Sequence, residues 1–203
     1  MFAFSSSLKT GVLTACAAAC LAVAAPAAAQ DPLLDDFKTV CVTGDGSAAA
    51  AASSITAQGG WSPLDPAMFG AEAPFENLKA WMRAGGGGFQ LAMTGDMTEP
   101  MEGMGSMEMN MGVCALGAQP GDYAALNRAI STWVGSGPQP DLSVDGNTGF
   151  LFALENGQVK PVDPGMTEEE IGLRMLSSGD LRMVMTTDQG GVVMVMYMVP
   201  KVQ

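Results

Sequence analysis

"GFQLAMTGDMTEPMEGMGSMEMNMGVCAL", Gly88–Leu116, is the stretch from which the fold can be worked out. At its start Phe89, Leu91 and Met93 alternate with Gln90, Ala92 and Thr94. At its end Met107, Met109, Met111 and Val113 alternate with Glu108, Asn110, Gly112 and Cys114. A period of two places alternate side chains on opposite faces of a sheet. The two runs therefore predict the strands of an antiparallel hairpin, joined by a long loop over Gly95–Gly105. Seven methionines lie between Met93 and Met111, of 17 in the chain. Those of the second strand are accounted for by packing, since methionine fills irregular gaps. Met97, Met101 and Met104 fall in the predicted loop, where core packing is not an ordinary reason for an apolar residue.

Two more hairpins follow. "GFLFALENGQVKPV" turns at Asn156-Gly157, and "LRMVMTTDQGGVVMVMYMV" turns at Asp188–Gly191. Asn-Gly supplies the left-handed dihedrals that a two-residue hairpin turn needs. Val192–Val199 is apolar on both faces, which predicts a central or doubly covered strand. Helices are expected between the hairpins. Asp31-Pro32 opens a first helix, with Leu33, Phe37, Val40 and Cys41 on one face. Ser47 caps an Ala-rich second helix that Gly59-Gly60 stops. Trp61 begins a loop, and "PFENLKAWMRA" reads as a short helix ended by "GGGG". Asp122 caps a helix carrying Tyr123, Leu126, Ile130, Trp133 and Val134, and Gly135 ends it. Thr167 and Glu170 form a capping box at the start of the last helix. The expected fold is one α+β domain: a mainly antiparallel sheet of about six strands from three hairpins, with three to five helices packed on it.

The N-terminus has a different task. Lys9, an Ala-rich apolar run and Ala27-Ala28-Ala29 have the layout of a secretory signal peptide spanning residues 1–29. Leu13-Thr14-Ala15-Cys16 offers lipid attachment as the alternative, although the apolar run continues past the cysteine. Cleavage would leave residues 30–203 as an exported domain, periplasmic or secreted. No later segment has the apolar length of a membrane span. Removing Lys9 leaves 8 basic against 21 acidic side chains, a surface that repels nucleic acid and anionic lipid. Cys41 and Cys114 are the two cysteines beyond the leader. In an oxidising compartment they read as a disulfide, with two free buried thiols as the alternative.

The composition also excludes chemistry. The chain has no histidine, so Ser–His and Cys–His catalysis and His-ligated zinc are ruled out. "GGGG" lacks the Lys and spacing of a phosphate loop. "DLSVDG" matches the first half of a calcium loop, but Phe152 stands where the bidentate Glu belongs. Among enzymes a carboxylate-dependent hydrolase remains, with no spacing to mark its pair, and whether the chain is an enzyme is left open.

Met101-x-x-Met104-x-x-Met107 and Met107-x-Met109-x-Met111 resemble the methionine motifs of copper-transport and periplasmic copper-resistance proteins. That resemblance implies Cu(I) or Ag(I) held by Met97, Met101, Met104, Met107 and Met109, because thioether sulfur is a soft donor. "VCVTGDGSAAAAASSITAQGGW", running through Cys41 to Trp61, together with Cys114, resembles small exported proteobacterial proteins of unknown function. It implies an exported α+β domain with paired cysteines and brings no activity with it.

Two arrangements of the methionine strand stay open at this point. If the strand is regular, a disulfide from Cys114 brings the first helix over the Glu108/Asn110 face and leaves the methionines on the other. A bulge at Gly112 would return Cys114 to the methionine side. The function expected is a non-enzymatic exported binding or interaction domain, for an unidentified protein or a small apolar ligand. The alternative is the soft-metal binder.

Overall fold

A computed structural model describes residues 31–70, 75–85, 87–100, 108–143, 146–163 and 165–201. The expected signal peptide lies outside the described residues, as do Met101, Met104 and Met107. The first helix, α1 (Pro32–Phe37), starts at the predicted cap. The Asp31 carboxylate accepts from the Leu33 and Leu34 N–H groups at 2.9 and 3.3 Å. A wider π-helical turn, Lys38–Val42, continues it, and Ser47 caps α2 (Ala48–Gln58). Two later helices form where their caps predict them, α3 (Tyr123–Val134) behind Asp122 and α4 (Glu168–Ser177) behind the Thr167/Glu170 capping box.

The sheet has eight strands where the sequence suggested about six. They are β1 (Ser62–Leu64), β2 (Glu76–Gly85), β3 (Gly88–Pro100), β4 (Glu108–Gln119), β5 (Asn147–Glu155), β6 (Gln158–Pro161), β7 (Leu181–Gln189) and β8 (Val192–Pro200). Their spatial order is β1-β2-β3-β4-β8-β7-β5-β6, and each neighbouring pair is antiparallel. The two added strands are β1 and β2. The segment expected to be a short helix is β2, and the loop after Trp61 contains β1. The period of two in β2 is concealed by Ala80, Ala84 and the long amphipathic side chains Lys79 and Arg83. Pairing with β3 from Ala84↔Phe89 to Lys79↔Thr94 settles its conformation.

The loop expected over Gly95–Gly105 is also corrected. β3 pairs with β4 without a register shift as far as Pro100↔Glu108, so Gly95–Pro100 is strand and Met97 lies opposite Met111. Polar groups anchor this extension: the Thr98 hydroxyl bonds Asn110 Oδ1 at 2.7 Å, and Lys201 reaches Asp96 at 2.6 Å. The expected central strand, β8, lies between β4 and β7.

The helices divide between the faces. α1, α2 and α3 cover the face carrying Ala92, Cys114, Leu116, Phe150, Phe152, Val184, Val195 and Tyr197. Phe37, Trp133, Phe152 and Tyr197 meet there at ring-centroid distances of 5.1–6.2 Å. Such aromatic pairs contribute about 0.5–1.5 kcal/mol beyond their buried area. α4 packs on the opposite face, where Ile171 and Met175 meet Met109, Met111, Val113, Leu151 and Met198. Cys41 and Cys114 are within bonding distance, S–S 2.02 Å and Cα–Cα 5.5 Å, beneath α1. Because the β3–β4 register is unbroken, Cys114 faces the first helix and the strand methionines face away from it. The regular-strand arrangement therefore holds, without a bulge at Gly112.

Candidate functional site

The methionines singled out by the copper resemblance divide on the structure. Met109 is buried in the α4-side core, and Met97 is half-buried against the same core. The other three lie outside the described residues. The register also puts the methionines of β7 and β8 on the same face as Met109 and Met111. Met183 is paired with Met198, Met185 with Met196, and Met97 with Met111. Sequence reasoning missed this convergence because no single segment contains it. It arises from β4 and β8 becoming neighbours, a pairing of segments about 80 residues apart in the chain.

A second feature lies on the other side of the sheet, with α1 and α3. The N-termini of α1 and α3 open on a cleft of about 660 Å³ between them and the β2–β3 turn. Leu33, Phe89, Leu126 and Val193 give it apolar walls, and Asp31, Arg83, Gln90, Gln119 and Asp122 give it polar ones. Next to the lining residues Phe89 and Gln119 the strands approach closely: a Cβ on Gly88 would stand 1.6 Å from the Gln119 carbonyl oxygen, so only glycine permits this approach of β3 to the end of β4.

The polar groups of the cleft are not equally free. Arg83 stacks on Trp61 at 4.5 Å from the ring centroid. Its nitrogens donate to Asp36 Oδ2 at 2.6 Å, to Gln58 Oε1 at 3.2 Å and to Gln90 Oε1. The guanidinium is thus neutralised and held in place. Asp31 and Asp122 each use Oδ1 as a helix cap. A helix N-terminus carries roughly half a positive charge, so each full carboxylate more than offsets its own helix end. The cleft is left with a negative balance and with helix N–H groups already turned to their caps.

Elsewhere the carboxylates act as structural anions. Asp45 accepts two bonds from Arg182, both at 2.7 Å, and one from the Tyr197 hydroxyl at 3.1 Å. The Arg182 bonds hold its carboxyl below the usual range despite partial burial. Burial pushes the Tyr197 phenol upward, and the Asp45 charge adds to that shift. Lys201 lowers Asp96, and Arg174 lowers Asp180. A general-acid carboxyl needs the opposite displacement, so these three do not supply one to the hydrolase reading. Asp31 and Asp122 were legible in the sequence as caps. Their convergence on one cleft with Arg83, Phe89 and Gln119 was not, since it follows from the Phe89↔Gln119 register and the placement of two helices.

Among the described residues no helix is long and apolar enough to cross a membrane. Compared with known proteins, the chain matches no family model, no curated protein and no solved structure.

Proposed function

We propose that the chain is an exported, non-enzymatic binding domain, and that the cleft between the N-termini of α1 and α3 is where it binds. The observation that carries this reading is the cleft's combination of volume and lining. At about 660 Å³ it lies within the range of roughly 300–1,000 Å³ typical of small-molecule sites. Apolar walls with a few convergent polar groups are the usual lining of such sites.

The charge balance narrows the ligand. A carboxylate or phosphate would meet Asp31 and Asp122 and would find Arg83 already paired. The favoured ligand has an apolar body, for Leu33, Phe89 and Leu126, and a neutral or cationic polar group. An exposed ammonium–carboxylate pair contributes about 0.2–1 kcal/mol, so the preference for a cation over a neutral isostere is several-fold.

Calorimetric titration with phenethylamine, 2-phenylethanol and phenylacetate tests this, because the three share a body and differ in charge. The expected order of affinity is amine, then alcohol, then acid. Heats of binding absent for all three would contradict the reading. Export is tested separately: the periplasmic or secreted fraction should yield a chain beginning at Gln30.

A further inference from the structure

The neighbouring interior strands β8 and β7 carry an arrangement that the cleft does not use. Met183 and Met185 on β7 lie directly opposite Met198 and Met196 on β8. Directly opposed residues in an antiparallel pair have Cβ atoms about 4.5–5.5 Å apart, and residues two along on one face are about 7 Å apart. The Cβ atoms of four methionines thus mark the corners of one small rectangle on the face away from α1–α3. Two torsions place each sulfur in an unbranched, adaptable side chain, so the sulfurs can close on a point between the strands.

The surroundings suit a soft ion. Across the strands the rectangle is bordered by Val113 and Ala115 on β4 and by Leu151 and Gly149 on β5, and along them by Leu181 at one end and by Met194 and Thr187 at the other, so it meets no charge and one hydroxyl. Met198 is buried, while Met183, Met185 and Met196 are half-buried, so the site is mostly dry yet reachable from solvent. The chain has no histidine, and among the described residues the two cysteines, Cys41 and Cys114, are bonded to each other beneath α1. Neutral thioethers leave the charge of a bound cation uncompensated locally, and the formal net charge of −12 offsets it at long range.

We infer that Met183, Met185, Met196 and Met198 form a binding site for a soft monovalent cation, Cu(I) or Ag(I). The site is independent of the cleft. It differs from the run Met97–Met109 that the copper motifs pointed to, because strand pairing assembles it and sequence spacing does not. Thioether donors select soft ions, which disfavours the hard cations Mg(II) and Ca(II), and four neutral thioethers with no thiolate or imidazole among them favour a monovalent soft ion over Zn(II).

Silver nitrate added to protein labelled with ¹³C at the methionine methyls reads the site directly. The expected result is that the methyl signals of Met183, Met185, Met196 and Met198 move together and saturate near one equivalent. Met68, 73% exposed, and Met82, 40% exposed, lie outside the rectangle, serve as internal controls and should not respond. Cu(I) delivered from a competing chelator should bind at least ten-fold more weakly to the Met185→Leu/Met196→Leu variant. Leucine for methionine conserves volume and is tolerated in packed positions, and the labelled wild-type spectrum decides the matter even if that variant fails to fold. Four unmoved methyls would overturn the inference, as would Met68 and Met82 responding in parallel with them. So would a response led by Met97, Met101 or Met104, or equal shifts with Zn(II).

Discussion

Asp45 follows the first helix in a short turn, where its backbone takes a left-handed φ of +48°. From there its carboxylate reaches Arg182 on β7 and the Tyr197 hydroxyl on β8. One side chain therefore ties the N-terminal helices to two central strands. Asparagine tolerates the left-handed region, so Asp45→Asn removes the charge without adding backbone strain. Arg182, nearly buried, then loses its anion. Breaking a fully buried pair costs about 3–5 kcal/mol. The Asp45 side chain is 48% exposed, so we expect about 1–2 kcal/mol, measured by urea denaturation at pH 7. The pH dependence has a definite sign. The folded-state pKa of Asp45 is lowered, so its contribution is present above the unfolded carboxyl value and is lost as pH falls through the folded one. Asp45→Asn should accordingly narrow the gap between stability at pH 7 and at pH 3. An unchanged acid limb would contradict the role assigned to this pair.

The disulfide and the β3–β4 contact carry the predictions at the scale of elements. Cys41–Cys114 closes a separation of 73 residues. Chain entropy assigns such a loop roughly 4 kcal/mol. The double change Cys41→Ala/Cys114→Ala should therefore lower unfolding free energy by about 2–5 kcal/mol, and a loss below 1 kcal/mol would mean that packing alone docks α1. Beside the cleft, Gly88→Ala drives a methyl into the carbonyl of Gln119, a lining residue. Overpacking of this kind costs about 1–3 kcal/mol, and it should weaken phenethylamine binding together with thermal stability. Elements whose signals are local were readable from the sequence: the Asp31, Ser47, Asp122 and Thr167 caps, the Asn156-Gly157 turn, and the alternation of β3, β4, β7 and β8. β1 and β2 were not. β1 is three residues long, and β2 carries few large apolar residues and owes its conformation to β3. Met97 was misplaced for a related reason, since Gly95 and Pro100 read as loop signals while cross-strand pairing carries the strand through them.

At the scale of the whole molecule, function depends on which distant segments become neighbours. The sheet order brings β4 beside β8, and with it the methionines of β4, β7 and β8 onto one face. The same order sets two capped helices over the end of β4. Neither the methionine rectangle nor the cleft has a linear signature. The first needs the β7–β8 register, and the second needs the ends of α1 and α3 to meet. The acidic balance was legible from composition, and it bears on binding through the field it creates. Affinity for a cationic ligand should fall as salt shortens the screening length from about 10 Å at 0.1 M to about 3 Å at 1 M, whereas 2-phenylethanol should be nearly indifferent to salt. Amide NMR during a phenethylamine titration shows whether the cleft is a binding site. Saturable shifts are expected at Phe89, Gln90, Gln119, Gly121 and Asp122, reduced several-fold in Asp31→Asn/Asp122→Asn, whose asparagines still cap α1 and α3. Shifts that avoid these residues, or that are unchanged in the double variant, would contradict binding in the cleft.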